Sequence, residues 1–316
     1  MGTHTPRIAV VGSANVDLMT FADRFPRGGE TLFGTHFDLG WGGKGANQAV
    51  AARLCGAQVD MVARVGRDLF GPATIENFRS SGIGVEHVRI VDDAPSGVAP
   101  IFVEPSGQNR ILVVKGANDR LTPACVDEAL PVLQRADCIV LQLEVPIETV
   151  YHTIALARRL KVRCILNPAP GQPLDVAKLA GIDYLIPNES EAETITGMPV
   201  RSVEEAAAAA RHLVDAGVTR VIVTLGEKGA LLATRQGVDL LPGFAVATKD
   251  TTGAGDAFTG SLAVFLAEGI EEKEAIARAN LYAALSTTSV GTQKSFVTRQ
   301  RLEDEWKARV VAANRG

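Results

Sequence analysis

The sequence lacks the residue patterns that would support a disulfide frame, a zinc centre or a histidine-based mechanism. Its four cysteines, Cys55, Cys125, Cys138 and Cys164, are scattered with no Cys-x-x-Cys spacing. They read as small buried hydrophobes in a reducing compartment. The five histidines (His4, His36, His87, His152, His212) show no His-x-x-x-His or His-Glu pairing, which leaves carboxylates as the acid–base groups. Excess charge is missing too. A net charge of −4 provides no basic field to attract nucleic acid or acidic lipid. Any phosphate must therefore be held by local geometry. No run approaches the ~18 apolar residues of a membrane span. The opening Met-Gly-Thr-His-Thr-Pro carries no basic stretch followed by an apolar one, and Pro6 spoils a myristoylation pattern. A cytoplasmic protein without membrane or nucleic-acid partners is expected.

What is present is ordinary globular material: 316 residues, 46% hydrophobic and 22% charged, enough for a full core in one large domain or two smaller ones. Short β-branched runs alternate with helical patterns. Arg7–Gly12, Cys138–Leu143, Arg163–Leu166, Tyr184–Pro187 and Val221–Leu225 read as buried strands, apolar throughout as a parallel sheet covered on both faces requires. Helices are predicted over Ala46–Cys55, Pro146–Leu160 and Val203–Ala216, the last with Ser202 as N-cap, Glu205 three residues on and Gly217 past its end. The alternation predicts an α/β fold with a doubly wound, mostly parallel sheet between helices. Residues 16–40 and 96–115 instead show strand-like alternation without helices. They predict a small antiparallel β lid inserted into a core made of residues 1–15, 41–95 and 116–316.

Polar clusters follow several strands at once: Ser13, Asn15 and Asp17; Glu144; Asn188 and Glu191; Thr224, Gly226 and Gly229. In an open α/β sheet, ligands sit outside the carboxyl ends of the strands, so these residues are expected to converge on one crevice. Each also has a plainer role. Asn188-x-x-Glu191 makes a capping box, Gly226-Glu-Lys-Gly229 makes a strand connector, and Asn15 and Asp17 can satisfy loop amides.

Two glycine-rich turns stand out. Asp250-Thr-Thr-Gly253-Ala254-Gly255-Asp256 runs into an apolar helical stretch, placing backbone amides and a carboxylate at a helix start, where negative charge is favoured. Phosphoryl transfer to a hydroxyl suits that pairing; Asp256 as a simple cap for a helix starting at Ala257 is the alternative. Trp41-Gly42-Gly43-Lys44-Gly45-Ala46-Asn47 is not a P-loop, because Gly45 follows Lys44 where Ser or Thr is required. No strand–turn–helix carries Gly-x-Gly-x-x-Gly, which disfavours a nicotinamide dinucleotide enzyme.

Gly42-Gly43-Lys44-Gly45-Ala46-Asn47, Asn188-x-x-Glu191 and Asp250-Thr-Thr-Gly-Ala-Gly-Asp256, occurring in that order, resemble the ribokinase branch of the PfkB carbohydrate kinases over essentially the whole chain. The resemblance implies a ribokinase-like fold whose β lid also forms a homodimer contact. It further implies transfer of the γ-phosphoryl group of ATP to the 5-hydroxyl of D-ribose, with Asp256 as general base and Gly253, Ala254 and Gly255 as the anion hole. Asn15, Asp17, Gly42, Gly43, Lys44, Asn47, Glu144 and Asp256 would line the sugar pocket. Asn188, Thr224, Gly226, Gly229, Gly255 and Asn280 would contact ATP, and Glu191 would act on Mg²⁺ through water. A K⁺ ion would sit near Asp250, Thr252, Ser286, Ser289, Gly291 and Ser295; at Ser289 the family's common members carry a basic residue. Gly97-Val-Ala-Pro-Ile-Phe-Val, Leu143-Glu144-Val145 and Thr196-Gly-Met-Pro-Val also resemble deoxyribokinases, which makes 2-deoxy-D-ribose the competing substrate. At Asn15 deoxyribose-preferring relatives place an apolar side chain, whereas an amide can bond the 2-hydroxyl. A regulator that kept the fold but lost catalysis would be expected to lose the base or the hole glycines, and Asp256, Gly253 and Gly255 are all present. A nucleoside kinase fits the Gly43–Asn47 segment less well.

Overall fold

The computed structural model describes residues 4–106 and 108–313. In chain order the strands are β1 (Arg7–Val11), β2 (Asn15–Phe21), β3 (His36–Gly42), β4 (Gln58–Gly66), β5 (Gly84–Val91), β6 (Gly97–Val103), β7 (Asn109–Ile111), β8 (Cys138–Leu141), β9 (Arg163–Leu166), β10 (Tyr184–Leu185), β11 (Val221–Thr224), β12 (Gly229–Thr234) and β13 (Gly237–Pro242). The helices are α1 (Lys44–Leu54), α2 (Phe70–Ser80), α3 (Pro123–Glu128), α4 (Leu130–Leu133), α5 (Ile147–Leu160), α6 (Glu189–Thr196), α7 (Val203–Asp215), α8 (Ala254–Ala267), α9 (Glu272–Ser286) and α10 (Arg299–Ala313).

Nine strands form the main sheet in the order β13-β12-β11-β10-β9-β8-β1-β4-β5, parallel except for the β11–β12 and β12–β13 pairs. Strand alternation splits its side chains between two apolar layers. Along β1, Ile8 and Val10 enter the layer beneath α1, α8 and α9, while Ala9 and Val11 enter the layer beneath α5 and α7. The predicted buried strands are all present, Arg163–Leu166 with the expected bounds and the other four one to two residues shorter at their carboxyl ends. The cap of α7 is also as expected: Ser202 accepts from the Glu205 N–H at 3.2 Å, and Gly217 beyond its end has φ 108°. Among the described residues, no helix is long and apolar enough to cross a membrane.

The strand order reverses at β1, which has β4 on one side and β8 on the other. That switch opens a crevice at the carboxyl ends of the strands. The segments around residues 15–42 and 97–111 form a second sheet in the order β3-β2-β6-β7. Its outer pairs β2–β3 and β6–β7 are antiparallel, but the central β2–β6 pairing is parallel. The reason is connectivity: after β2 the chain returns along β3, makes an excursion through α1, β4, α2 and β5, and enters β6 from the end at which β2 began.

Candidate active site

The helix that matters most starts earlier than expected. It begins at Ala254, with Gly253 as N-cap at φ 79° and ψ 1°. Asp256 therefore sits inside the first turn and is not a cap: its side chain is 5% exposed and bonds across to α1. Asn47 Nδ2 donates to Asp256 Oδ2 and Gln48 Nε2 donates to Oδ1, both at 2.9 Å. First-turn N–H groups have no intrahelical acceptor. Of these, the Ala254 N–H turns back to the Thr251 carbonyl (3.2 Å), and beside Gly255 a Cβ would meet nothing within 4 Å. The left-handed conformation at Gly253 and its approach to the Thr292 methyl group both require glycine.

The second glycine turn packs backbone on backbone. A Cβ at Gly43 (φ 88°) would lie 2.7 Å from the Asn15 nitrogen, and one at Gly45 would lie 2.6 Å from that of Ser13. This closeness brings α1 onto the loop after β1, where Glu144 collects donors. Its Oε2 accepts from Ser13 Oγ at 2.6 Å, the Lys44 N–H at 2.9 Å and Asn15 Nδ2 at 3.5 Å. Asn15 Oδ1 in turn accepts from Asn118 Nδ2 at 2.7 Å. Asp17 stands beside this cluster; burial, then the Glu144 and Asp256 charges, push its carboxyl up to about 7. Burial works against the charge on Lys44. Asp256, Glu144 and Glu191 outweigh it and hold the ammonium above the ordinary lysine range.

Lys44, Asn188, Glu191, Thr224, Gly253, Gly255 and Asp256 line one cavity of about 160 Å³, together with Asn167, Ala169 and Ile186. Seven expected residues from four strand and helix ends thus meet in one place. The capping box is real as well: Asn188 Oδ1 accepts from the Glu191 N–H at 2.8 Å, and Glu191 Oε2 accepts from the Asn188 N–H at 2.9 Å. Capping does not withdraw either residue from the cavity, which both also line. Burial raises the Glu191 carboxyl above its ordinary value.

Of the residues expected at the sugar, Asn15, Asp17, Gly42, Gly43, Asn47 and Glu144 do not line this cavity, nor do Ala254, Gly226 (φ 57°), Gly229 (φ 101°) and Asn280. Asn280 Nδ2 is spent on the Leu241 and Pro242 carbonyls at 3.1 and 3.3 Å, tying α9 to the end of β13. The residues expected near a monovalent cation lie in the loop before α8, at the last residue of α9 (Ser286) and in the turns that follow it to Ser295. Asp250 accepts from the Thr252 N–H and the Gly291 N–H, both at 2.9 Å. Burial opposes its charge, but the Thr252 and Gly291 hydrogen bonds prevail and hold its carboxyl below the usual range. The Ser286 and Ser295 hydroxyls donate to the Ala283 and Thr292 carbonyls, each at 2.8 Å, and Ser289 is exposed. Among the described residues, no three His, Cys, Asp or Glu side chains cluster as a metal cage.

Sequence reasoning missed the amides: Gln48, Asn118, Gln142, Asn167 and Gln293. The rule for polar residues after strands could have found Gln142 and Asn167, since they directly follow β8 and β9. Gln293 Nε2 reaches Asn47 Oδ1 at 3.0 Å from the opposite end of the chain, and nothing local signals it.

Known proteins with this arrangement are numerous. The deoxyribokinase of Salmonella typhimurium is 45% identical over 298 residues, covering 94% of this chain and 97% of that protein. The ribokinase of Bacillus subtilis is 40% identical over 297 residues, covering 94% and 98%. The structure of Arabidopsis thaliana ribokinase complexed with ribose and ATP superposes with a TM-score of 0.89 at 32% identity, covering 95% of this chain and 98% of that one. Residues 5–299 match the sequence profile of the pfkB family carbohydrate kinases. With that match over most of its length and relatives 40% and 45% identical, the chain belongs to the pfkB family of carbohydrate kinases.

Proposed function

We propose that this kinase transfers the γ-phosphoryl group of ATP to the 5-hydroxyl of D-ribose, giving D-ribose 5-phosphate and ADP. The observation that carries the reading is Asp256, buried, gripped through both oxygens and sharing one cavity with Lys44 and the amides at the start of α8. Asp256 takes the hydroxyl proton as the oxygen–phosphorus bond forms and the bond to the leaving ADP breaks. The N–H groups of Gly253, Ala254 and Gly255 stabilise charge gathering on the travelling phosphoryl group. Asn15, Asp17, Gly42, Gly43, Lys44, Asn47 and Glu144 hold the sugar. Asn188 and Thr224 lie toward the nucleotide, with Gly226, Gly229 and Asn280 further along the same edge. Mg²⁺ normally keeps several waters and leans on substrate phosphates, so Glu191 would act on it through water. Asp250 with the neutral oxygens of Thr252, Ser286, Ser289, Gly291 and Ser295 suits a large monovalent ion such as K⁺, which would add positive charge beside the anion hole. Exposed Phe33, Phe37, Leu39 and Leu112 on the lid suit a second copy of the chain, a homodimer that sedimentation reads directly. Cytoplasmic residence, where ATP is available, fits this chemistry.

A second reading, 2-deoxy-D-ribose, is favoured by the 45% identity to a deoxyribokinase. Asn15 argues for ribose: a site built to bond a hydroxyl leaves a buried polar group unpaired when that hydroxyl is missing. Pentoses, deoxyribose and nucleosides assayed with ATP and Mg²⁺, with and without K⁺, test the assignment. Ribose is expected to have the highest kcat/KM, and Asn15→Met is expected to move the preference toward deoxyribose by ~10-fold or more. An unchanged ratio would remove Asn15 from 2-position recognition.

Sugar binding should also depend on pH. The free protein keeps Asp17 protonated below about 7, whereas sugar hydroxyls donate best to a carboxylate. Binding therefore releases a proton, and affinity weakens as pH falls below about 7, approaching ~10-fold per pH unit. The sign is opposite for the unliganded fold, which gains stability as pH falls from about 7 toward 3.8. A carboxyl raised above its unfolded value of 3.8 costs stability progressively between pH 3.8 and about 7. Titration calorimetry in two buffers of different ionisation heat measures the released proton, and Asp17→Asn should abolish the release.

A further inference from the structure

A general base works only when a lone pair points at the acceptor alcohol, so whatever fixes its carboxylate matters as much as the carboxylate. Asp256 is fixed by two neighbouring amides of α1. Asn47 is itself held from the far end of the chain, its Oδ1 accepting from Gln293 Nε2 at 3.0 Å while its Nδ2 donates to Asp256. Gln48 is the more deeply buried of the two, 0% exposed against 6% for Asn47, and neither lines the cavity.

The Gln48 amide is fully used. Its NH₂ group donates to Asp256 Oδ1 at 2.9 Å and to Asn167 Oδ1 at 3.1 Å, and its Oε1 accepts from Gln142 Nε2 at 2.7 Å. Asn167 is held in turn by donating to the Ile186 carbonyl at 2.9 Å. Turning the Gln48 amide over would set oxygen against the Asp256 carboxylate and NH₂ against the Gln142 NH₂, so the network admits one orientation. Helix packing supplies the register. Gly260 of α8 lies so close to α1 that a Cβ there would overlap the Gln48 carbonyl oxygen and come within 2.8 Å of Ala51 Cβ.

We infer that Gln48 is a positioning residue for Asp256, aimed by Gln142 and Asn167 at the ends of β8 and β9. This rests on the reading of Asp256 as base. Gln48 fixes the carboxylate's rotation, leaving its remaining lone pairs toward the cleft.

Gln48→Glu tests this while preserving side-chain shape and the bond from Gln142. It sets two carboxyl groups side by side, which must share a proton. The acid limb of the kcat–pH profile is expected to move up by ~1 pH unit or more. At neutral pH kcat should fall ~10–100-fold, with the sugar KM within about threefold of wild type. Lys44, Asp17, Glu144 and Glu191, the other titratable groups around the site, are common to both proteins and cancel in the comparison. Gln48→Met, which removes the donor without adding a charge, should lower kcat similarly with a smaller pH shift. A purely structural Gln48 predicts a lower Tm and fewer titratable active sites, with kcat per site and the acid limb unmoved; that result overturns the inference. Should Gln48→Met not fold, Gln48→Glu decides alone. Asp256→Asn separates the two levels: full turnover there removes the base assignment, whereas lost turnover beside a wild-type Gln48→Glu profile removes only the positioning role.

Discussion

Asp256→Asn is expected to lower kcat by ~10²–10⁴-fold while sugar affinity changes by no more than about threefold. The size follows from what the substitution removes. The general base disappears, but the anion hole at the start of α8, the donors around Glu144 and the Lys44 ammonium all remain to bind and orient the substrates. Asparagine has nearly the shape of aspartate, yet it offers one acceptor oxygen where two donors, from Asn47 and Gln48, now meet acceptors. One of those donors is left facing an NH₂ group. That costs about 1–3 kcal/mol of stability, or on the order of 2–12 °C in Tm for a chain of this size. A coupled ADP assay gives kcat, titration calorimetry gives sugar affinity, and a melting curve gives the third number. Turnover within tenfold of wild type would assign the proton to another acceptor. A large loss of sugar affinity would mean that Asp256 chiefly binds the sugar.

The contrast between Asp256 and Gln48 explains which parts of this site the sequence made legible. Asp256 lies in a segment whose glycines, acid and following apolar run state a local geometry, so the helix start and its negative-charge preference follow from a few residues. The residues after β1, β8, β10 and β11 were equally accessible, because a parallel sheet delivers every strand's carboxyl end to the same edge. Gln48 sits in an alanine-rich helix, where a glutamine looks like part of a solvated face. Its burial comes from α8 lying against α1 through Gly260, a contact between segments more than half the chain apart. Asn118 and Gln293 were hidden for the same reason: amides carry no charge pattern and bond wherever tertiary packing sets them. Asn280 shows the converse, since the family resemblance alone assigns it to nucleotide while its amide nitrogen secures the end of β13. The parallel pairing at the centre of the lid was also beyond reach, because alternation within a strand says nothing about its neighbour's direction.

Gly45→Ala should destabilise the protein although helix propensity predicts the opposite. Gly45 occupies the second position of α1, just as Gly255 occupies the second position of α8, and neither has positive φ. By propensity each alanine would gain up to ~1 kcal/mol. Packing separates them. At Gly255 a Cβ meets nothing within 4 Å, but at Gly45 it would lie 2.6 Å from the Ser13 nitrogen, 2.7 Å from the Ser13 oxygen and 2.9 Å from the Gly12 carbonyl carbon. All three are backbone atoms anchored to β1, so no side chain can swing aside. Overpacking of this kind costs about 1–3 kcal/mol and occasionally more, which exceeds the propensity gain. Relief requires α1 to move off the loop, and that motion pulls on the Ala46 N–H to Ser13 carbonyl bond (2.9 Å) and on the donors from Ser13 and Lys44 to Glu144. Gly45→Ala is therefore expected to lower Tm by several degrees and raise the sugar KM ~10-fold or more, whereas Gly255→Ala should melt at or above the wild-type temperature. Equal melting temperatures for the two variants would show that the close approach of α1 to β1 contributes nothing to stability, and that the sugar side of the crevice is held by something other than this backbone contact.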